Sequence, residues 1–173
     1  MMPFTLHCGV ALPLLRDNID TDAIIPSREM RTVSRSGLAA GLFAPWRYLD
    51  ADARTPNPEF ALNQSEYNGA SILLAGDNFG CGSSREHAVW ALIESGFRAV
   101  IAPSFATIFR NNALRNGLLT VALAQHDLDE LVAWVSADPA ANAIQLDLEA
   151  CTIESDPEKE KKVFSVDPTA RDM

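Results

Sequence analysis

A chain of 173 residues, 47% hydrophobic and 21% charged, carries enough apolar sequence for one packed core and no apolar run approaching a membrane span. With 14 Lys and Arg against 23 Asp and Glu its net charge is −9, so it has no global electrostatic reason to bind nucleic acid or an anionic membrane surface. Its 3 cysteines, Cys8, Cys81 and Cys151, are scattered without a CxxC pair, which argues against a disulfide framework or a self-contained zinc site and predicts a soluble, cytoplasmic protein.

Residues 5–15 alternate in the manner of a strand and run into the polar break Arg16-Asp17-Asn18. In the next segment, Ile19-Asp20-Thr21-Asp22-Ala23-Ile24-Ile25-Pro26, Asp20 and Asp22 share a side if the backbone is extended, and Pro26 opposes a helix running through it. Residues 27–68 read as a functional loop plus a surface excursion. Arg28, Arg31, Arg35, Arg47 and Arg54 gather there, and Pro45, Pro56 and Pro58 break any long element. Long irregular segments inside compact domains are more often functional than filler.

From Ala70 onward the pattern is α/β. A buried strand over residues 71–75 enters a Gly-rich turn, residues 76–82, and a helix is expected from Ser83 or Ser84 to Ser95, closed by Gly96. A strand over residues 98–102 follows; Ser104 is placed to cap a helix ending at Gly117, and another strand covers residues 118–123. Asp127 and Glu130 are spaced as a capping-box analogue ahead of Leu128, Leu131, Val132 and Val135. Residues 144–148, 151–153 and 163–166 read as strands. The result is a mainly parallel central α/β unit, whose ligands gather beyond the carboxyl ends of the strands.

That position is occupied by Gly80-Cys81-Gly82-Ser83-Ser84-Arg85-Glu86-His87. Gly80 and Gly82 let the backbone turn tightly, a helix start offers unpaired N–H donors, and Ser83, Ser84 and Arg85 add hydroxyls and a guanidinium. The combination suits a carboxylate or phosphate. There is no Lys for a P-loop, and Arg85 stands where a dinucleotide fingerprint needs Gly. His87 lies four residues after Ser83 on the expected helix, a poor geometry for a hydrolase triad. Cys81 reads as a small residue that fits, and His87 as a hydrogen-bonded structural residue.

Three linked motifs carry a family resemblance. They are the segment Asn18 to Pro26, the segment Asn78-Phe79-Gly80-Cys81-Gly82-Ser83-Ser84-Arg85-Glu86-His87-Ala88, and Ala102-Pro103-Ser104-Phe105-Ala106-Thr107-Ile108-Phe109 with Asn112 and Gly117-Leu118-Leu119. In this order and spacing the chain resembles the small subunits of 3-isopropylmalate dehydratase, the separately encoded equivalent of the mobile swivel domain of aconitase. The resemblance implies one swivel-type domain over residues 1–173, with β/β/α layers and without the family's C-terminal extension. It also implies a half-enzyme in leucine biosynthesis. Its large-subunit partner would hold a [4Fe–4S] cluster, with no cofactor or metal in this chain, and the scattered cysteines agree with that division.

By the same resemblance Ser83 is the base that removes the C–H proton, while Ser84 and Arg85 hold the carboxylate of a malate-type substrate. A further arginine from the loop after the first motif, Arg28, Arg31 or Arg35, also binds substrate. Met30 and Val33 supply an apolar patch, and Asp20, Asp22, Gly80, Gly82 and His87 support the site. Family members place more apolar residues around Arg28 and Glu29. A related hydro-lyase acting on 2-methylmalate or dimethylmalate therefore stands beside the isopropylmalate reading, and a non-catalytic anion-binding module is the alternative of a different class.

Overall fold

The computed structural model describes residues 4–30, 36–50, 52–83 and 85–166. A parallel sheet is built from β2 (Ala11–Leu14), β3 (Ile72–Ala75), β4 (Ala99–Ala102) and β5 (Leu119–Ala122), in that spatial order. A second, antiparallel sheet has the order β1 (Leu6–Gly9), β6 (Ile144–Asp147), β7 (Thr152–Glu154) and β8 (Lys162–Val163). The helices are α1 (Thr21–Ile24), α2 (Ala44–Arg47), α3 (Glu86–Glu94), α4 (Thr107–Asn116) and α5 (Gln125–Ala137). None of the described helices is long and apolar enough to cross a membrane.

The parallel sheet is buried on both faces, and strand alternation divides its side chains between two cores. Leu12, Leu73, Ala75, Val100 and Ala102 face a core shared with α3 and α4. Ala11, Ile72, Leu74, Ala99, Ile101, Leu119 and Val121 face one shared with α5 and the antiparallel sheet. This is the expected β/β/α layering. Each buried Leu or Ile contributes about 1.5–3 kcal/mol over its exposed state.

Several boundaries differ from the sequence reading. The single strand over residues 5–15 is two strands in two sheets. β1 pairs antiparallel with β6 and β2 pairs parallel with β3. The chain changes sheets at Val10, whose carbonyl accepts from Ser71 N at 3.0 Å and Ile72 N at 3.3 Å. Gly9 lets it do so, because a Cβ there would clash with the Ser71 hydroxyl, closer than 3.0 Å. Residues 36–68 are no mere surface excursion. They send Leu38, Leu42, Phe43 and Phe60 into the α3/α4 core. Their turns are tied by Asn63 Nδ2, which donates to the Arg47 carbonyl at 2.7 Å and the Asn57 carbonyl at 2.9 Å.

The expected caps also change roles. Ser104 does not cap α4, which starts after Ala106; its hydroxyl donates to the Asp77 carboxylate and accepts from Asn78 N at 2.9 Å. Asp127 and Glu130 lie within α5, which begins at Gln125, and both reach Lys162. The strands expected over 151–153 and 163–166 are Thr152–Glu154 and Lys162–Val163.

Candidate active site

Beyond β2, β3 and β4 the chain keeps sheet-like contacts past the regular strands. Asp20 bridges Cys81 and Phe79 bridges Phe105, both in parallel sense. Gly80 N donates to the Ile19 carbonyl at 2.8 Å and Thr21 N to the Cys81 carbonyl at 3.0 Å. On the other side Phe79 N donates to the Ser104 carbonyl at 3.1 Å and Ala106 N to the Phe79 carbonyl at 2.9 Å. The Gly-loop is thus threaded between the first and third motifs, which explains why the three motifs occur together.

The two loop glycines are required for different reasons. Gly80, at φ +82°, passes so close to Phe109 that a Cβ would lie within 3.0 Å of the ring. Phe109 is itself fixed edge-on to Phe79, with centroids 5.1 Å apart. Gly82, at φ +87°, has more room, with Asp20 Cβ at 3.3 Å from a would-be Cβ, so the backbone conformation itself selects glycine.

The expectation that the helix begins at Ser83 or Ser84 is corrected. α3 starts at Glu86, and Arg85 is its extended N-cap residue. Ser83 therefore lies on the loop before the helix, exposed, with its backbone carbonyl accepting from the Thr21 hydroxyl. The segment carrying Asp20 and Asp22 is not extended throughout either. Asp20 caps the short helix α1 by accepting from Ala23 N at 2.8 Å, and Asp22 falls in its first turn. A capping side chain stabilises by about 0.5–2 kcal/mol. Arg85 Nη1 and Asp22 Oδ1 form an ion pair without a well-aligned hydrogen bond.

The remaining expected residues are distributed as follows. Arg28 and Glu29 sit in the single turn Ser27–Glu29, with Arg28 exposed. Met30 is half-buried against the α3/α4 core. Arg31, Val33, Arg35 and Ser84 lie outside the described residues. His87 packs its ring on Trp90, centroids 4.7 Å apart, one turn into α3. Cys81 is half-buried.

Glu29 does not present a free carboxylate to solvent. Its side chain is 8% exposed and paired with Arg54, which also donates to the Ala40 carbonyl at 2.8 Å. The Glu29 hydrogen bond, followed by that of Tyr48, raises the Arg54 pKa above its ordinary value. Farther along, the Glu94 carboxylate at the end of α3 accepts from Gly37 N and Leu38 N, each at 2.8 Å.

Sequence reasoning did not single out Thr21 or Glu94, and named Arg54 only among the arginines gathered in residues 27–68. For Thr21 the signal was present in the motif between Asp20 and Asp22, but a β-branched threonine reads as a strand residue until its partner is known. Among the described residues no group of three or more His, Cys, Asp or Glu could hold a metal ion. The free thiols are exposed at Cys8, half-buried at Cys81 and buried at Cys151. An iron–sulfur cluster does not fit these residues.

Residues 1–126 match the family model of the aconitase C-terminal domain. The chain is 64% identical over 148 residues to the 3-isopropylmalate dehydratase small subunit of Cupriavidus necator, covering 86% of this chain and 71% of that relative. It is 50% identical over 171 residues to the small subunit of the same name from Shewanella oneidensis, covering 99% of this chain and 84% of the relative. Among solved structures it is similar to 3-isopropylmalate dehydratase from Methanocaldococcus jannaschii, with 30% identity, a TM-score of 0.68, and 95% of this chain and 85% of that chain covered.

Proposed function

The chain belongs to the 3-isopropylmalate dehydratase small-subunit family, built on the aconitase C-terminal domain, and from that premise we propose that its Gly-loop supplies the proton-transfer half of the active site. The reaction is a hydro-lyase isomerisation in leucine biosynthesis. 2-Isopropylmalate loses water to give 2-isopropylmaleate, and water returns in the opposite sense to give 3-isopropylmalate. The carrying observation is the position of Ser83, exposed at the carboxyl edge of the parallel sheet with its own carbonyl tied down and Arg85 two residues away.

Ser83 as an alkoxide takes the proton from the carbon next to the hydroxyl-bearing one and returns it on rehydration. A serine alkoxide needs stabilisation, which Arg85 and the amide donors at the start of α3 provide. Asp22 engages one nitrogen of the Arg85 fork, and the other donors take a substrate carboxylate. Ser84 completes that carboxylate site. The second carboxylate goes to an arginine of the loop, Arg28, Arg31 or Arg35, and Met30 with Val33 faces the isopropyl group. Asp20, Gly80 and Gly82 hold the loop, and His87 buttresses α3 through Trp90.

The chain acts with a large subunit, to which the reading gives the [4Fe–4S] cluster; the chain's similarity to dehydratase small subunits supports that division. It functions as one swivel-type domain in the cytoplasm, where thiols such as exposed Cys8 stay reduced. The burial of Glu29 against Arg54 withdraws one of the two charged groups, Arg28 being the other, that had pointed to 2-methylmalate or dimethylmalate, and so supports the isopropylmalate reading. The test is reconstitution with the large subunit and assay of 2-isopropylmalate, 2-methylmalate and dimethylmalate side by side. Preferred turnover of 2-isopropylmalate is expected. Preferred turnover of a smaller malate would overturn the substrate, and binding without turnover would leave only an anion-binding module.

A further inference from the structure

Thr21 is buried, with 2% of its surface exposed, although it carries a hydroxyl and packs beneath a loop. Its polar groups are all used. The N–H donates to the Cys81 carbonyl at 3.0 Å, the hydroxyl donates to the Ser83 carbonyl, and its own carbonyl accepts from Ile25 N at 2.9 Å. Two carbonyls of the Gly-loop, on either side of Gly82, are therefore turned onto one residue of the first motif. Between them Gly82 adopts φ +87°, the conformation that lets both point the same way.

A peptide unit is planar, so fixing the Ser83 carbonyl fixes the whole unit that follows Ser83. The Cys81 contact fixes the unit preceding Gly82 in the same way. Ser83 has no regular secondary structure to hold it, since α3 starts only at Glu86. Asp20 caps α1 and Asp22 holds Arg85, but neither touches the Ser83 backbone in the contacts they make.

We propose that Thr21 is a positioning residue for the Ser83 base, setting the direction of the serine side chain through its backbone. This inference rests on the reading of Ser83 as the proton-abstracting group. Thr21 acts through Ser83 and touches no substrate. Its loss moves the base out of line with the substrate C–H bond while the carboxylate site at Arg85 still binds. The rate constant of the chemical step therefore falls and KM stays near its normal value.

The experiment uses the complex with the large subunit, measuring kcat and KM for 2-isopropylmalate and the thermal unfolding of each variant. Thr21→Val keeps the volume and removes the hydroxyl; kcat is expected to fall about 10²-fold, the scale of a 1 Å misplacement of a reacting group. Thr21→Ser keeps the hydroxyl and is expected to restore kcat. If Thr21→Val fails to assemble, Thr21→Ala takes its place against Thr21→Ser. Full kcat in a folded variant lacking the hydroxyl, or an equal loss in Thr21→Ser, overturns the inference while an inactive Ser83→Ala leaves the base assignment standing. Normal turnover by Ser83→Ala overturns the base assignment and the role of Thr21 with it.

Discussion

Arg54 reaches back across the excursion to the Glu29 carboxylate, pairing a guanidinium that is 38% exposed with a carboxylate that is 8% exposed. The asymmetry sets what each deletion does. Arg54→Met leaves a nearly buried carboxylate without its cation, whereas Glu29→Gln leaves a cation that water can still reach. Stranding the nearly buried carboxylate costs about 1–3 kcal/mol, whereas stranding the exposed cation costs under about 1 kcal/mol. Denaturant unfolding should rank Arg54→Met clearly below Glu29→Gln. Because Glu29 lies between Arg28 and Met30, KM for 2-isopropylmalate should rise in Arg54→Met; an unchanged KM would separate the pair from the substrate loop.

Ser83→Ala should lower kcat by about 10²–10⁴, the usual contribution of a positioned general base. Ser83 is exposed and packs nothing, so association with the large subunit, followed by size-exclusion chromatography, should match that of the unaltered chain. A variant that assembles and turns over normally would remove Ser83 from the chemistry.

Gly80 and Gly96 make a matched pair for separating steric from conformational cost. Both have positive φ, +82° and +100°, but a Cβ at Gly80 meets the Phe109 ring while one at Gly96 meets nothing within 4 Å. Gly96→Ala should cost about 1 kcal/mol from the left-handed backbone alone. Gly80→Ala adds overpacking of about 1–3 kcal/mol and disturbs the loop that carries Ser83. Equal denaturation midpoints for the two variants would show that Phe109 yields to the added methyl at no cost.

The parallel unit was legible because its signals are local. Ile72–Ala75 and Ala99–Ala102 are short apolar runs bounded by Gly or Pro, and Gly96 and Gly117 end helices as glycines do. What stayed hidden depends on partners distant in sequence. Alternation in residues 5–15 shows extended backbone but not that Val10 passes from one sheet to the other. Phe43 and Phe60 lie among prolines and short turns with no helical or strand period, so their burial has no signature along the chain. In the site, the motif residues were identifiable by spacing, but Ser83 was placed on the helix because a serine before an amphipathic run reads as a cap. The tie to Thr21, which holds it on the loop instead, spans 62 residues.

The contact of α5 with the last strand predicts a stability plateau between acid and alkaline limits. The Lys162 hydrogen bond, and then its charge, pulls the Glu130 carboxyl below its ordinary 4.5. Burial alone would lower the Lys162 pKa, but its bonds and charge interactions with Glu130 and Asp127 outweigh that and leave it above 10.5. The Glu130 contribution is present above pH 4.5 and is lost as pH falls through its depressed folded value. The Lys162 contribution is present below pH 10.5 and is lost as pH rises through its elevated folded value. Glu130→Gln should flatten the acid limb and trim the alkaline one in thermal unfolding measured across pH. A curve parallel to the parent's would show that the pair adds nothing.

His7 gives a third titration, with a different cause and nearer neutrality. Its Nε2 lies 2.7 Å from the Ser71 hydroxyl, bridging β1 of the antiparallel sheet to the start of β3 in the parallel one. Burial first, then the charge of Arg98, lowers its pKa from 6.5, so the folded state favours the neutral ring. A base with a lowered folded pKa binds fewer protons than the unfolded chain does between its folded value and 6.5. Stability is therefore full above pH 6.5 and declines as pH falls through that window. Arg98→Met removes the secondary cause, brings the folded pKa back toward 6.5, and should narrow the window and shrink the decline. Ser71→Ala leaves burial in place but removes the ring's partner, costing about 1 kcal/mol at neutral pH. Proton NMR of the His7 ring in the two variants distinguishes these effects, and a parent His7 titrating at or above 6.5 would mean that the ring is not held neutral at the junction of the two sheets.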